Sequence, residues 1–257
     1  MKIGYAMYSA RDLTRDPKSM RSTLKALADM GYDGVEFFVY AGTKPEELRE
    51  MVEEFGLEAI GAHVHKPRWD ADTEGEIQYA VKAGIPCLVY PWIAPEDRTE
   101  EFYRGLPGYL DGLARRCREN GIRLLYHNHD FEFETMGGGR VMDNLLEAGK
   151  EFAFEMDTFW AGYAGVNVTD YLRELGNRVP MIHIKDYKSL ETMPPEFTPI
   201  GTGKLRGNRE LIRTARELGK EWVIVELDNS PCDPLESAGI SIENIKKDLI
   251  KEVVINV

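Results

Sequence analysis

Five histidines are the only imidazoles in this chain of 257 residues. Each one closes a short apolar run. His63 and His65 end EAIGAHVH, His127 and His129 end RLLYHNH, and His183 lies in MIHIKD. Two acidic pairs are placed alike: Glu155 and Asp157 in FAFEMD, and Glu226 and Asp228 in WVIVELD. Side chains two apart in a strand share a face. Each run therefore aims ionisable groups in one direction at its C-terminal tip. Strands this apolar do not feed a solvated face, so the pattern predicts one assembled site.

Four of these runs, taken in order, offer one good metal ligand each: His127, Asp157, His183 and Glu226. Two imidazoles with two carboxylates suit Mn²⁺, Co²⁺, Zn²⁺ or Fe²⁺ better than Ca²⁺. Alone, each reads more simply as a satisfied core histidine or as a carboxylate capping the next helix. Together they favour a metal. His129, Glu155, Lys185 and Asp228 each stand two residues from a ligand. Lys185 can hold an oxyanion or pair with Asp186, and a plain salt bridge to Asp228 is nearly as good a reading. Glu155 or Asp228 can orient a ligating imidazole or touch substrate. His63 and His65 contact substrate or pack, and Glu36 in GVEFF can face the same mouth. Trp69, Trp92 and Trp160 follow strand ends. Aromatic faces beside polar groups suit a sugar, so Trp92 and Trp160 are candidate substrate contacts. The glycine-rich, basic run PIGTGKLRGNRE offers a place for a phosphate, although it lacks Walker spacing.

The elements that must position these residues follow from punctuation. Gly31, Gly56, Gly84, Gly121, Gly149, Gly176 and Gly219 each follow an amphipathic stretch and precede an apolar run. Glycine after a helix is the favoured left-handed cap. The repeated unit is helix, glycine, strand. It predicts eight strands near 2–8, 34–38, 58–65, 85–92, 122–129, 152–158, 180–186 and 222–228. Helices are predicted near 17–30, 44–55, 73–83, 98–120, 139–148, 168–175, 207–218 and 241–251, with Asp16-Pro17 as a cap and first-turn proline. Eight such units predict a closed (β/α)8 TIM barrel spanning 1–257 as a single domain, with its site at the C-terminal strand ends. A doubly wound open sheet usually carries a glycine-rich first turn, and MYSARDL is not one.

Composition bounds the partners. The net charge is −12, which disfavours nucleic acid. Cys87, Cys117 and Cys232 lack metal-ligand spacing and fit a reducing, cytoplasmic setting. No run is long and apolar enough to predict a membrane span, and no secretion signal is apparent, so Asn167-Val168-Thr169 reads as a chance sequon.

The runs GYDGVEFF, YHNHDFEF, FEMDTFWA, HIKD, PIGTGKL and VIVELDNSPCDPLES resemble the sugar phosphate isomerase/epimerase family, the xylose-isomerase-like barrels, over essentially the whole chain. The resemblance implies a (β/α)8 barrel with one divalent ion at the strand tips. Mn²⁺ is the expected ion, with Co²⁺, Mg²⁺ or Zn²⁺ as alternatives. Asp157, His183 and Glu226 match the family's ligands. The chain departs at strand five, where His127 stands at the position nearest the family's glutamate, and at Arg206, where similar sequences often carry an aspartate. The function expected is a metal-dependent isomerase or epimerase of a small carbohydrate. It would abstract a proton α to a carbonyl and pass through a metal-bound enediolate. Glu226 is the expected base, with His129 and Lys185 supplying the second proton or stabilising oxygen charge. A lyase or dehydratase acting on a keto-sugar, keto-glycoside or keto-cyclitol is the alternative. A metal-dependent endonuclease and a non-enzymatic sugar-binding barrel rank below it. A homo-oligomer is compatible with any of these.

Overall fold

A computed structural model describes residues 1–255 except Arg206, Ser230 and Pro231, with side chains described as far as Lys247. The position of Arg206, noted above as a departure, lies outside the described residues.

Eight strands form the barrel: β1 (Lys2–Ala6), β2 (Gly34–Phe37), β3 (Glu58–His63), β4 (Cys87–Tyr90), β5 (Arg123–His127), β6 (Ala153–Asp157), β7 (Met181–Ile184) and β8 (Trp222–Val225). Every neighbouring pair is parallel, and β8 closes on β1. The strands are buried on both sides, which is why they read as continuous apolar runs rather than alternating ones. Inside the barrel, Ala6, Ile60, Val89, Leu125 and Ile224 pack into a dry layer. The larger apolar cluster lies between strands and helices.

The helices are α1 (Pro17–Met30), α2 (Pro45–Glu54), α3 (Lys66–Ala83), α4 (Glu100–Glu119), α5 (Val141–Ala148), α6 (Val168–Leu175), α7 (Asn208–Glu217) and α8 (Pro234–Ile255). The expected start of α1 is present: Asp16 accepts from Ser19 N at 2.9 Å and Pro17 opens the helix. Five of the seven punctuating glycines (31, 56, 84, 121 and 219) have φ between 68° and 89°, the region glycine enters without a Cβ penalty. Gly176 has positive φ but ψ of −122°, and Gly149 is extended, so neither is a left-handed α cap.

The strands end earlier than the sequence suggested. His65, His129, Lys185, Glu226 and Asp228 lie just past the last strand residues, at the start of loops. The first turn, Met7–Leu13, is a 3₁₀ segment. Helix α3 begins at Lys66 and bends at Asp72 (φ −157°). A short helix at Thr158–Tyr163 was not expected. It starts where it does because the Asp157 carboxylate accepts from Trp160 N at 2.9 Å. Two small hairpins, Thr135–Met136 with Gly139–Arg140 and Tyr187–Ser189 with Glu196–Phe197, were also not expected.

Candidate active site

The register sets the expected residues on adjoining strand tips. His127 pairs with Glu155, Asp157 with His183, and His183 with Ile224 in the next strand. Asn128 fastens the tips of β5 and β6. Its Oδ1 accepts from Asp157 N (2.9 Å) and its Nδ2 donates to Asp157 O (3.1 Å).

At the mouth, His127, Asp157, His183 and Glu226 bring one donor atom each within 4.8 Å of one another. His183 Nδ1 donates to Glu226 Oε2 at 2.9 Å, and His127 Nε2 stands 3.8 Å from Asp157 Oδ2. Lys185, 1% exposed, sits beside them. Its ammonium lies 2.8 Å from Asp157 Oδ2, 2.9 Å from Glu226 Oε2 and 2.6 Å from Asp228 Oδ1. Asp157 Oδ2 is buried and has no aligned hydrogen bond despite that close ammonium. The donor set is buried, mixed N/O and incompletely satisfied, so it fits a divalent ion.

Below the mouth lies a second layer. Glu155 Oε2 accepts from His127 Nδ1 (3.1 Å) and His63 Nε2 (3.2 Å). Glu36 Oε2 stands 3.0 Å from His63 Nε2 and 2.9 Å from His183 Nε2. Glu155 and Glu36 are thus buried beneath His127 and His183 and do not line the cavity. His63 reaches both levels.

Electrostatics follow from this packing. Burial alone would depress His63, but Glu36 and Glu155 outweigh it and raise its pKa to about 10. Glu155, Glu36 and Glu226 overcome burial at His183 in the same way. Burial opposes ionisation of Glu226, yet Lys185 and His183 hold it well below the usual carboxylate range. Burial raises Asp228, with Lys185 working against the rise. Asp157, Asp228 and Glu226 overcome burial at Lys185 and hold its pKa well above that of a free lysine. Burial, then His127 and Lys185, keep His129 neutral. His65 is depressed to about 4 by burial, His63 and Arg68.

A cavity of about 530 Å³ opens above the quartet. Its lining includes His63, His65, Trp92, His127, His129, Glu226 and Asp228, as the sequence suggested, together with Tyr8, Arg11, Phe38 and Asn229. Tyr8, Phe38, His65 and Trp92 form one aromatic wall with ring centroids 4.8, 5.6 and 6.5 Å apart. His129 stacks on Phe131 opposite, and its Nδ1 has no hydrogen-bond partner. Trp160 is not in the lining; it packs over the Lys185 ammonium at 5.7 Å. Arg11 escaped the sequence reading. Its guanidinium lies over the Tyr8 ring at 4.2 Å and donates to Tyr8 O and Asp228 O. Only its place in MYSARDL, directly after strand one, could have drawn attention to it.

The PIGTGKL loop closes on an anion of the protein's own. The Asp186 carboxylate accepts from Tyr187 N (2.8 Å) and from Gly201 N, Gly203 N and Leu205 N (3.0 Å each). The backbone donors considered for a phosphate are taken, and Asp186 is therefore not the partner of Lys185. A Cβ on Gly203 would stand 2.3 Å from Asp186 Oδ1.

Known proteins resemble this chain in sequence or in fold. The inosose dehydratase of Geobacillus kaustophilus is 23% identical over 219 residues, 75% of this chain and 70% of that protein. The mannonate dehydratase of Enterococcus faecalis is 26% identical over 198 residues, 72% of this chain but about half (51%) of that protein. A crystal structure of a sugar phosphate isomerase/epimerase from Parabacteroides distasonis superposes with a TM-score of 0.80 at 21% identity, covering 95% of this chain and 93% of that one. A family model described as xylose isomerase-like TIM barrel matches residues 24–248. With the closed parallel barrel, that match spans most of the sequence, and the chain belongs to the xylose isomerase-like TIM barrel family.

Proposed function

We propose that the protein is an isomerase or epimerase of a small carbohydrate, working by proton transfer at a carbon next to a carbonyl. The observation that carries this reading is the convergence of His127, Asp157, His183 and Glu226 beneath an aromatic-walled cavity. These four would hold one divalent ion, Mn²⁺ first and Co²⁺, Mg²⁺ or Zn²⁺ after it. When bound, the ion would supply polarisation of a carbonyl and its neighbouring hydroxyl.

The chain's own groups do the rest. Tyr8, Phe38 and Trp92 present faces to the C–H side of a sugar ring. Two carboxylates reach the cavity. Glu226, held ionised by Lys185 and His183, suits the ligand role better than the role of base. Asp228 has its pKa raised by burial, which makes it the better proton acceptor of the two. Lys185 stays charged and offsets negative charge on substrate oxygen. His129 is neutral, and its free Nδ1 is available to a substrate hydroxyl.

The test is isotopic. A substrate found in a panel of ketoses, keto-glycosides and keto-cyclitols is turned over in D₂O and examined for deuterium at the carbon beside the carbonyl. Incorporation is expected, and turnover without any would point to hydride shift instead. Asp228→Asn should lower kcat by about 10² or more while keeping the ion. Glu226→Gln should lose the ion.

A second reading rests on the two dehydratases among the relatives. The same proton abstraction followed by loss of a β-hydroxyl would make the enzyme a lyase. Product mass separates the readings, because only the lyase product lacks a water.

A further inference from the structure

We propose that a divalent cation of the imidazole-preferring class, Zn²⁺ foremost, binds in the deep cage formed by Glu36, His63, Glu155 and His183, with His127 at its edge. The cage lies one layer below the mouth quartet and shares His183 and His127 with it, while Glu36, His63 and Glu155 belong to the cage alone.

Three observations carry this. First, the spacing is that of ligands. The donors stand 2.9, 3.0, 3.2 and 3.4 Å apart around the ring formed by His183 Nε2, Glu36 Oε2, His63 Nε2 and Glu155 Oε2. Donors about 2.0–2.1 Å from a common ion are separated by roughly 2.9–3.4 Å in octahedral or tetrahedral geometry. Second, the buried polar atoms of the cage are poorly satisfied. Both Glu36 oxygens, Glu155 Oε1 and His183 Nε2 are buried and lack an aligned hydrogen-bond partner. Groups this buried are ordinarily satisfied. Third, only imidazoles face the cage carboxylates. The mouth carboxylates share the Lys185 ammonium, whereas no lysine or arginine among the described residues makes an ion pair with Glu36 or Glu155. Imidazole-rich donor sets select zinc-like ions over magnesium-like ones.

Gly61 reinforces the picture. The register of β2 with β3 slips by one residue between Val35 and Glu36. Gly61 then faces the cage, where a Cβ would stand 3.1 Å from Glu36 Oε1.

The proposal does not require the mouth ion, and one experiment separates the two through the residues they do not share. Whole protein is stripped with chelator, reloaded with Zn²⁺ alone and assayed for bound zinc. Glu36→Gln should lose an equivalent that Asp157→Asn retains. Zinc-edge anomalous scattering from wild-type crystals should place a peak about 2.0–2.2 Å from His63 Nε2. This map decides the question even where a variant fails to fold. A peak only between Asp157 and Glu226, or full zinc in Glu36→Gln, overturns the deep site. A peak only in the cage, with Asp157→Asn unchanged, supports the deep site and removes the mouth ion from the proposed function.

Discussion

At the scale of single residues, Lys185 is the most open to test, although it is almost closed to water. A buried ammonium among three carboxylates persists because its partners need it as much as it needs them. Removing one member of such a set leaves uncompensated buried charge and costs about 3–5 kcal/mol. Lys185→Met should lose that much in metal-free urea unfolding. Asp157 and Glu226 would then lack their shared cation, so added Zn²⁺ or Mn²⁺ should raise the Tm of the variant more than that of wild type. A variant as stable as wild type would mean that the ammonium contributes no net stability. Glu132 gives the opposite case. It accepts from Tyr126 Oη (2.6 Å) and His129 N (2.7 Å), yet burial pushes its pKa up to about 7. Its folded value lies above its unfolded one, so the folded state binds the extra proton between the two. The stability it contributes is complete below about pH 4.5 and is lost as pH rises through 7. Glu132→Gln removes this dependence. The stability difference between variant and wild type should move in the variant's favour on going from pH 5 to pH 8, on the order of 3 kcal/mol. A flat difference would show that the carboxyl titrates normally. The ligand candidates were legible because spacing two at a strand tip is written in the chain. Arg11 and the Glu36–His63 contact were not, because they depend on which strands meet across the barrel.

At the scale of elements, the loop after β7 shows how one side chain can set a segment's shape. Four backbone N–H groups converge on Asp186. Without that carboxylate they turn to water or to one another. Asp186→Ala should lose on the order of 2–3 kcal/mol, and amide exchange at residues 201–205 should accelerate while the barrel strands stay protected. Exchange in that loop at the wild-type rate would mean the carboxylate does not hold it. From sequence the same glycines read as a phosphate seat. The inference that the backbone there cradles an anion was sound. The identity of the anion was out of reach, because Asp186 lies fifteen to nineteen positions before the loop amides that bind it, those of Gly201, Gly203 and Leu205. The early strand ends have a similar cause. His65, His129 and Lys185 keep the spacing of strand residues after the ladder has stopped, so side-chain pattern alone extends each strand too far.

At the scale of the whole molecule, the barrel was legible almost entirely. Eight apolar runs, buried on both faces and all but the first preceded by a helix and a glycine, leave few other ways to close a sheet. What the linear pattern did not contain was depth. Along the barrel axis the interior runs from the dry layer of Ala6, Val89, Leu125 and Ile224, through the ionic layers, to the aromatic mouth. Among the described residues that apolar floor closes the well from below, and the mouth is its door. Substrate and product must use it in turn, and neither can pass the other. Anything small formed at the bottom must wait for, or slip around, whatever remains above it. Arrival and departure are then one journey read in opposite directions, and the residues at the rim, Arg11 and Trp92 among them, govern both.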